Sequence, residues 1–170
     1  GIVPMVEPEV LMDADNTIEL CYDVTDKTLS TLFTTLKDQD VSIEHTILKT
    51  NMVMSGKQCP TQADIEEVAA QTVKCLQKNV PAELPGIVFL SGGQSAELAT
   101  AHLNEMNAKN PDLPWPLSFS YGRALQEPCL KAWSGKTDNV AAAQAALLHR
   151  EKCNSLACAG EYNADMESAA

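Results

Sequence analysis

Lys49 stands in the apolar run Ile47-Leu48-Lys49, just ahead of Thr50-Asn51-Met52-Val53, at what reads as the end of a buried strand. Burial disfavours the ammonium form of a lysine, so an amine with little water around it gives up its proton more readily and can attack a carbonyl. Three further groups occupy similar points in their own segments: Glu7 and Glu9 in Val6-Glu7-Pro8-Glu9, the loop Ser91-Gly92-Gly93-Gln94-Ser95, and Arg123 in Ser120-Tyr121-Gly122-Arg123. A carboxylate at a buried strand end is costly unless it is paired or functional, which makes Glu7 a candidate proton shuttle. Gly92 and Gly93 would let backbone amides approach an anion at a helix N-terminus, and Arg123, after Gly122, could add a two-pronged guanidinium contact to the same phosphate. Each residue also has a plainer explanation. Lys49 could pack its stem and extend its head to water, Glu7 could form a structural ion pair with Lys49 itself, and Ser-Gly-Gly could be an ordinary turn.

The elements that must position these residues alternate between extended and helical patterns. Short apolar runs at Gly1–Val6, Ile43–Lys49, Gly86–Leu90 and Leu117–Tyr121 read as strands. Helical spacing follows each one. After the capping cluster Asp13–Asn16 the apolar positions are Ile18, Tyr22, Thr25, Leu29, Leu32, Phe33 and Leu36, ending near Gln39; after Thr61 and Asp64 they are Ile65, Val68, Ala69, Val73 and Leu76. Further helices are expected from Ser95 to about Asn107, from near Arg123, and from about Asp138 to Cys158, with Asn163–Ala170 fraying. Continuous apolar strands without hairpin turns indicate an α/β chain with a parallel sheet. Glu7 to Lys49 and Lys49 to Ser91 are each 42 positions, and Arg123 follows 32 later. Such spacing places all four at the carboxyl ends of successive strands, where α/β barrels build their active sites. A flavodoxin-like sheet is the competing architecture.

The chain has 170 residues, 45% of them hydrophobic, enough to bury a core. Its net charge of −11 argues against nucleic acid or an anionic membrane surface as partner, so a phosphate ligand must be held locally. The sequence offers neither an apolar run long enough to span a bilayer nor a secretory signal. Six cysteines without a C-x-x-C pair or a histidine cluster suggest reduced thiols in the cytoplasm rather than a zinc site or disulfides. His45, His102 and His149, in separate elements, read as ordinary, and Trp115 and Trp133 as buried rings.

Val6-Glu7-Pro8-Glu9, Leu48-Lys49-Thr50-Asn51-Met52-Val53, Phe89-Leu90-Ser91-Gly92-Gly93-Gln94-Ser95 and Phe119-Ser120-Tyr121-Gly122-Arg123-Ala124-Leu125-Gln126 together resemble class I fructose-bisphosphate aldolase. The similarity extends through Ala132-Trp133 and Asn154-Ser155-Leu156-Ala157-Cys158. It implies a (β/α)8 TIM barrel of glycolysis and gluconeogenesis, a cytoplasmic tetramer free of metal and cofactor, acting on a sugar phosphate. By resemblance Lys49 forms a Schiff base with the substrate ketone, Glu7 moves protons, Glu9 supports the lysine electrostatically, and Ser91, Gly92, Gly93, Gly122 and Arg123 hold the phosphate. The same resemblance implies that residues 1–160 are the C-terminal half of the barrel, its last four strand-helix units, and that 161–170 are a frayed or truncated tail. A complete barrel takes about 250 residues, so a partial sequence is expected. Two departures stand out: the larger is this length, and the smaller is Thr50 where the family commonly has proline, together with the lack of a counterpart to the family's terminal tyrosine in Ser168-Ala169-Ala170, a loss that bears on turnover. The alternatives are another Schiff-base sugar-phosphate aldolase and a non-catalytic sugar-phosphate-binding module.

Overall fold

In the computed structural model, which describes residues 1–169, four short strands alternate with helices. The strands are β1 (Met5–Val6), β2 (Ile47–Thr50), β3 (Ile87–Phe89) and β4 (Leu117–Phe119); the helices are α1 (Ile18–Asp38), α2 (Ile65–Asn79), α3 (Ala96–Lys109), α4 (Arg123–Trp133) and α5 (Val140–Cys158). The sheet order is β1-β2-β3-β4, and every pair is parallel. Parallel strands laid down in chain order need a crossover of one hand at every step, which puts all the crossover helices on one face. A flavodoxin-like sheet reverses its strand order and carries helices on both faces, and the observed order excludes it. The arrangement is that of an arc of an α/β barrel.

Burial separates the two faces. Leu48, Thr50, Ile87, Phe89 and Leu117 are almost fully buried against the helices. The intervening Ile47, Lys49, Val88 and Ser118 are only partly covered, and Met5 is 47% exposed. The register aligns Lys49 with Val88 and Val88 with Ser118, so these three lie in one row across the open face. Around the sheet α1 packs on α2, α2 on α3 and α3 on α4, while α5 crosses both α3 and α4.

Several boundaries differ from the sequence expectation. The strand expected over Gly1–Val6 is reduced to Met5–Val6, and Ile2 and Val3 are exposed, because β1 lies at the sheet edge with one partner. Ile43–His45 form a 3-10 turn rather than the start of β2. α1 is capped by Thr17, whose side chain accepts from the Leu20 N–H, and α2 by Asp64, which accepts from Glu67, not by Thr61. Trp115 is buried, its indole N–H donating to the Pro81 carbonyl, but Trp133 ends α4 with 42% of its surface exposed. Fraying is expected over Asn163–Ala170, of which Ala170 lies outside the described residues; Ala164–Ala169 form a 3-10 helix and Glu167 accepts hydrogen bonds from Tyr162 and Arg150. Those contacts exist because Tyr162 and Arg150 supply polar partners that an apolar count of the tail does not register.

Asn51, just past β2, ties neighbouring units together. Its Oδ1 accepts from the Val10 N–H at 3.0 Å, and its Nδ2 donates to Thr25 Oγ1 and to the Met52 carbonyl, both at 3.1 Å. These bonds fix the segment after Glu7-Pro8-Glu9 to the end of the strand that carries Lys49. Asn51→Ala should cost about 2–3 kcal/mol by leaving buried polar groups unpaired. Urea unfolding checks this: the midpoint should fall while the slope is unchanged.

Candidate active site

Lys49 is the third residue of β2, and alternation turns its side chain to the open face. Glu7 follows β1 with the same parity as Met5, on the neighbouring strand of that face. Lys49 Nζ lies 2.8 Å from Glu7 Oε1, and the two side chains are 19% and 47% exposed. A proton can pass directly between them at this separation. Glu9 is exposed, and among the described residues no ion pair reaches it, so the lysine is paired through Glu7 alone.

The next strand feeds the glycine loop. Ser91 is buried at 5% exposure, and the Ser91 carbonyl accepts from the Gln94 N–H at 3.0 Å to close the turn. Gly92 and Gly93 have φ of 57° and 81°, a left-handed conformation that glycine adopts without strain. Among the described residues no acceptor reaches either glycine N–H. The loop then enters α3 through Ser95, whose Oγ accepts from Leu98. Arg123, the first residue of α4, is exposed and reaches back to the same loop, its NH2 lying 3.1 Å from where a Gly93 side chain would begin. Gly122 precedes it with open space around it.

Lys57 is a residue that the sequence does not single out. Its Nζ lies against the same point beside Gly93, so two cations flank the loop. Backbone bonds from Gly56 to Asn16, from Lys57 to Met12 and from Gln58 to Ala14 lay the loop after β2 against the loop after β1 and deliver Lys57 there. Asp13 accepts from Lys57 at 2.7 Å; that bond and the Lys57 charge, with a smaller contribution from Arg123, hold its carboxyl below the ordinary range. Unpaired amides, a guanidinium and an ammonium converging on one loop suit an anion. Nothing local in Ser-Gly-Lys-Gln marks Lys57, because a contact between residues 57 and 93 depends on the tertiary fold.

Gln94 anchors the loop from beneath. Its Oε1 accepts from His102 Nδ1 at 2.7 Å, and its Nε2 lies 3.6 Å from Met52 Sδ. A carbonyl acceptor assigns the proton to Nδ1 and leaves the buried Nε2 without a partner. His102 thus braces the glycine loop through Gln94, a structural role for a histidine that reads as ordinary in the sequence. A concavity lined by Met54, Ser55, Gln62, Leu98 and His102 lies on the helical side, away from the open face that carries Lys49.

A family model for class I fructose-bisphosphate aldolase matches residues 1–170. The chain belongs to this family. A probable fructose-bisphosphate aldolase class 1 of Xanthomonas campestris is 59% identical over 163 residues, covering 95% of this chain and 48% of the relative. A Dictyostelium discoideum fructose-bisphosphate aldolase is 50% identical over 165 residues, covering 97% and 46%. A Plasmodium falciparum aldolase, solved in a ternary complex with TRAP and a small-molecule inhibitor, superposes with a TM-score of 0.92 at 49% identity, covering 95% of this chain and 46% of that one. The chain thus spans about half the length of the curated relatives it matches, and its four units form a partial barrel of the aldolase type.

Burial pushes the His102 imidazole down to about 4. In the unfolded chain it titrates near 6.5, so below that pH the unfolded state binds more protons and folding weakens. This contribution is complete above about pH 6.5 and is lost as pH falls toward 4, amounting to about 3 kcal/mol. His102→Gln, which can donate the same bond to Gln94, should flatten the acid limb of the stability–pH curve measured by urea unfolding. An unchanged acid limb would count against this assignment.

Proposed function

We propose that this chain supplies the Schiff-base half of a class I aldolase that reversibly cleaves fructose 1,6-bisphosphate to dihydroxyacetone phosphate and glyceraldehyde 3-phosphate. The observation that carries the reading is the Lys49–Glu7 pair at 2.8 Å, on the same rim as a glycine loop flanked by Arg123 and Lys57. A phosphate seated on Ser91, Gly92, Gly93, Gly122 and Arg123 would hold the adjacent ketone by one end, so that Lys49 meets it as a positioned nucleophile. The free amine adds to the carbonyl carbon, a proton reaches the departing hydroxyl, and water leaves to give a protonated imine. The carbon–carbon bond then breaks, its electron pair moving toward the iminium to form an enamine while the neighbouring hydroxyl loses its proton and becomes the aldehyde. Protonation of the enamine and addition of water return dihydroxyacetone phosphate and the lysine. Glu7 carries the protons, and Glu9, exposed on the segment after Glu7, would act on the lysine only through its charge.

The rest of the reading follows the family. The open face bearing Met5, Ile47 and Val88 would be covered by the remaining units of the barrel, with this chain as its C-terminal half, and the complete protein would assemble as a homotetramer. All six cysteines are free thiols, which suits a cytoplasmic location. Among the described residues no helix is long and apolar enough to cross a membrane. The Lys49–Glu7 ion pair also favours a second reading, a sugar-phosphate-binding module in which Lys49 serves only as a charge.

Trapping separates the two. Incubation with dihydroxyacetone phosphate and borohydride should leave a reduced adduct on Lys49, seen by intact mass and peptide mapping, and Lys49→Arg should abolish it. Glu7→Gln should slow adduct formation by about 10²- to 10⁴-fold, the range for a positioned proton carrier. A folded chain that binds the phosphate yet gives no adduct would establish the binding module, and cleavage assays with other sugar phosphates would expose a different aldol substrate.

A further inference from the structure

His149 and Cys153 lie four residues apart on α5, one helical turn, and so project from the same face. The sequence reading of His149 as ordinary does not register this spacing, which becomes legible once α5 is known to be helical. His149 Nε2 lies 3.7 Å from Cys153 Sγ and 3.2 Å from Glu167 Oε2, which the C-terminal 3-10 helix brings back over α5. All three ligand atoms fall within 4.8 Å of one another. We propose that His149, Cys153 and Glu167 form a site for a zinc ion, unrelated to the Lys49 chemistry.

Two of the three ligand–ligand edges match those of tetrahedral zinc, and the third, from Cys153 to Glu167, is within 4.8 Å. Tetrahedral zinc with Zn–N and Zn–O near 2.0–2.2 Å and Zn–S near 2.3 Å has N–S edges of about 3.6 Å and N–O edges of about 3.3 Å. The corresponding separations are 3.7 and 3.2 Å, so these two edges fit without rearrangement. The carboxylate is already oriented, with Tyr162 Oη donating to its Oε1 at 2.8 Å and Arg150 NH1 to its Oε2. Arg150 is held in turn through NH2, which donates to the Ala96 carbonyl at 3.1 Å and to Thr100 Oγ1 at 2.6 Å. Outer partners of this kind fix a ligating carboxylate. Cys153 is 1% exposed, while the His149 and Glu167 side chains are 19% and 20% exposed, which leaves an entry path and room for water as the fourth ligand.

Charge selects the ion as well. Binding releases the thiol proton to solvent, and the thiolate and carboxylate together neutralise the two charges of the metal. Arg150 pairs with Glu167 Oε2, the oxygen that faces His149, while Tyr162 holds Oε1. One sulfur, one imidazole nitrogen and one carboxylate favour zinc over magnesium or calcium, which prefer oxygen alone. The bound ion would clip the segment after Gly160 onto α5.

Zinc competition against a chromophoric chelator under reducing conditions, with helical content followed by circular dichroism, tests the site in this chain. One zinc per chain is expected, and His149→Ala, Cys153→Ala and Glu167→Gln should each weaken binding by on the order of 100-fold, with Tyr162→Phe weakening it about tenfold. Cobalt should give a sulfur-to-metal charge-transfer band that Cys153→Ala removes and Cys129→Ser retains. The peripheral Glu167→Gln and Tyr162→Phe keep the test decisive if the buried Cys153 variant unfolds. Absence of one-to-one binding, or binding unchanged by Glu167→Gln and Tyr162→Phe, overturns the site. Neither result alters the outcome of trapping at Lys49.

Discussion

Parallel pairing in chain order is the constraint from which the site follows. It directs the carboxyl ends of all four strands to one rim, so that Glu7, Lys49, Ser91 and Arg123 become neighbours although they span most of the sequence. Register then decides which face each one meets. A one-residue slip of β2 would turn Lys49 into the helical layer and expose Leu48 and Thr50, which are now 0% and 1% exposed. The fully buried leucine thus holds the lysine in position by making every other register costly.

A second layer of order comes from buried polar side chains that fasten loops to helices. Asn51 spans two units, Thr72 accepts from the Val53 N–H at 2.9 Å, Gln94 rests on His102, and Thr100 joins Arg150 to Asn154 between α3 and α5. Such groups specify geometry more than they add stability, since each must be desolvated before it bonds. The residual cost is visible at Thr50 Oγ1, His102 Nε2, Arg150 Nε and Asn154 Nδ2, which are buried without partners. Three of these four belong to the fasteners, which places the strain beside the rim and behind α3.

Much of this was legible in the sequence because short periods report short-range structure. The stripe Ile18, Thr25, Leu29 and Phe33 marked α1, and the equal spacings between Glu7, Lys49 and Ser91 marked repeated units. Lys57 and His102 were not legible, because each acts through a partner 36 or eight residues away that only the folded loop brings close. His149 and Cys153 were a different kind of miss, visible at helical spacing but given meaning only by Glu167 from the tail. Strand ends were overestimated for a physical reason: apolar residues such as Ile2 and Ile43 favour an extended chain, yet they lack a partner strand that would define a ladder.

The packing has a consequence for folding kinetics. Each strand pairs only with its sequence neighbours, through Met5 with Ile47, Leu48 with Ile87 and Ile87 with Leu117. Every pairing therefore closes a loop of about 30 to 40 residues, and loops so alike differ by only about 0.3 kcal/mol in closure entropy. Loop length consequently sets no order of assembly. The sheet can begin at whichever helix first covers its own strand and grow outward in either direction, as a linear array does.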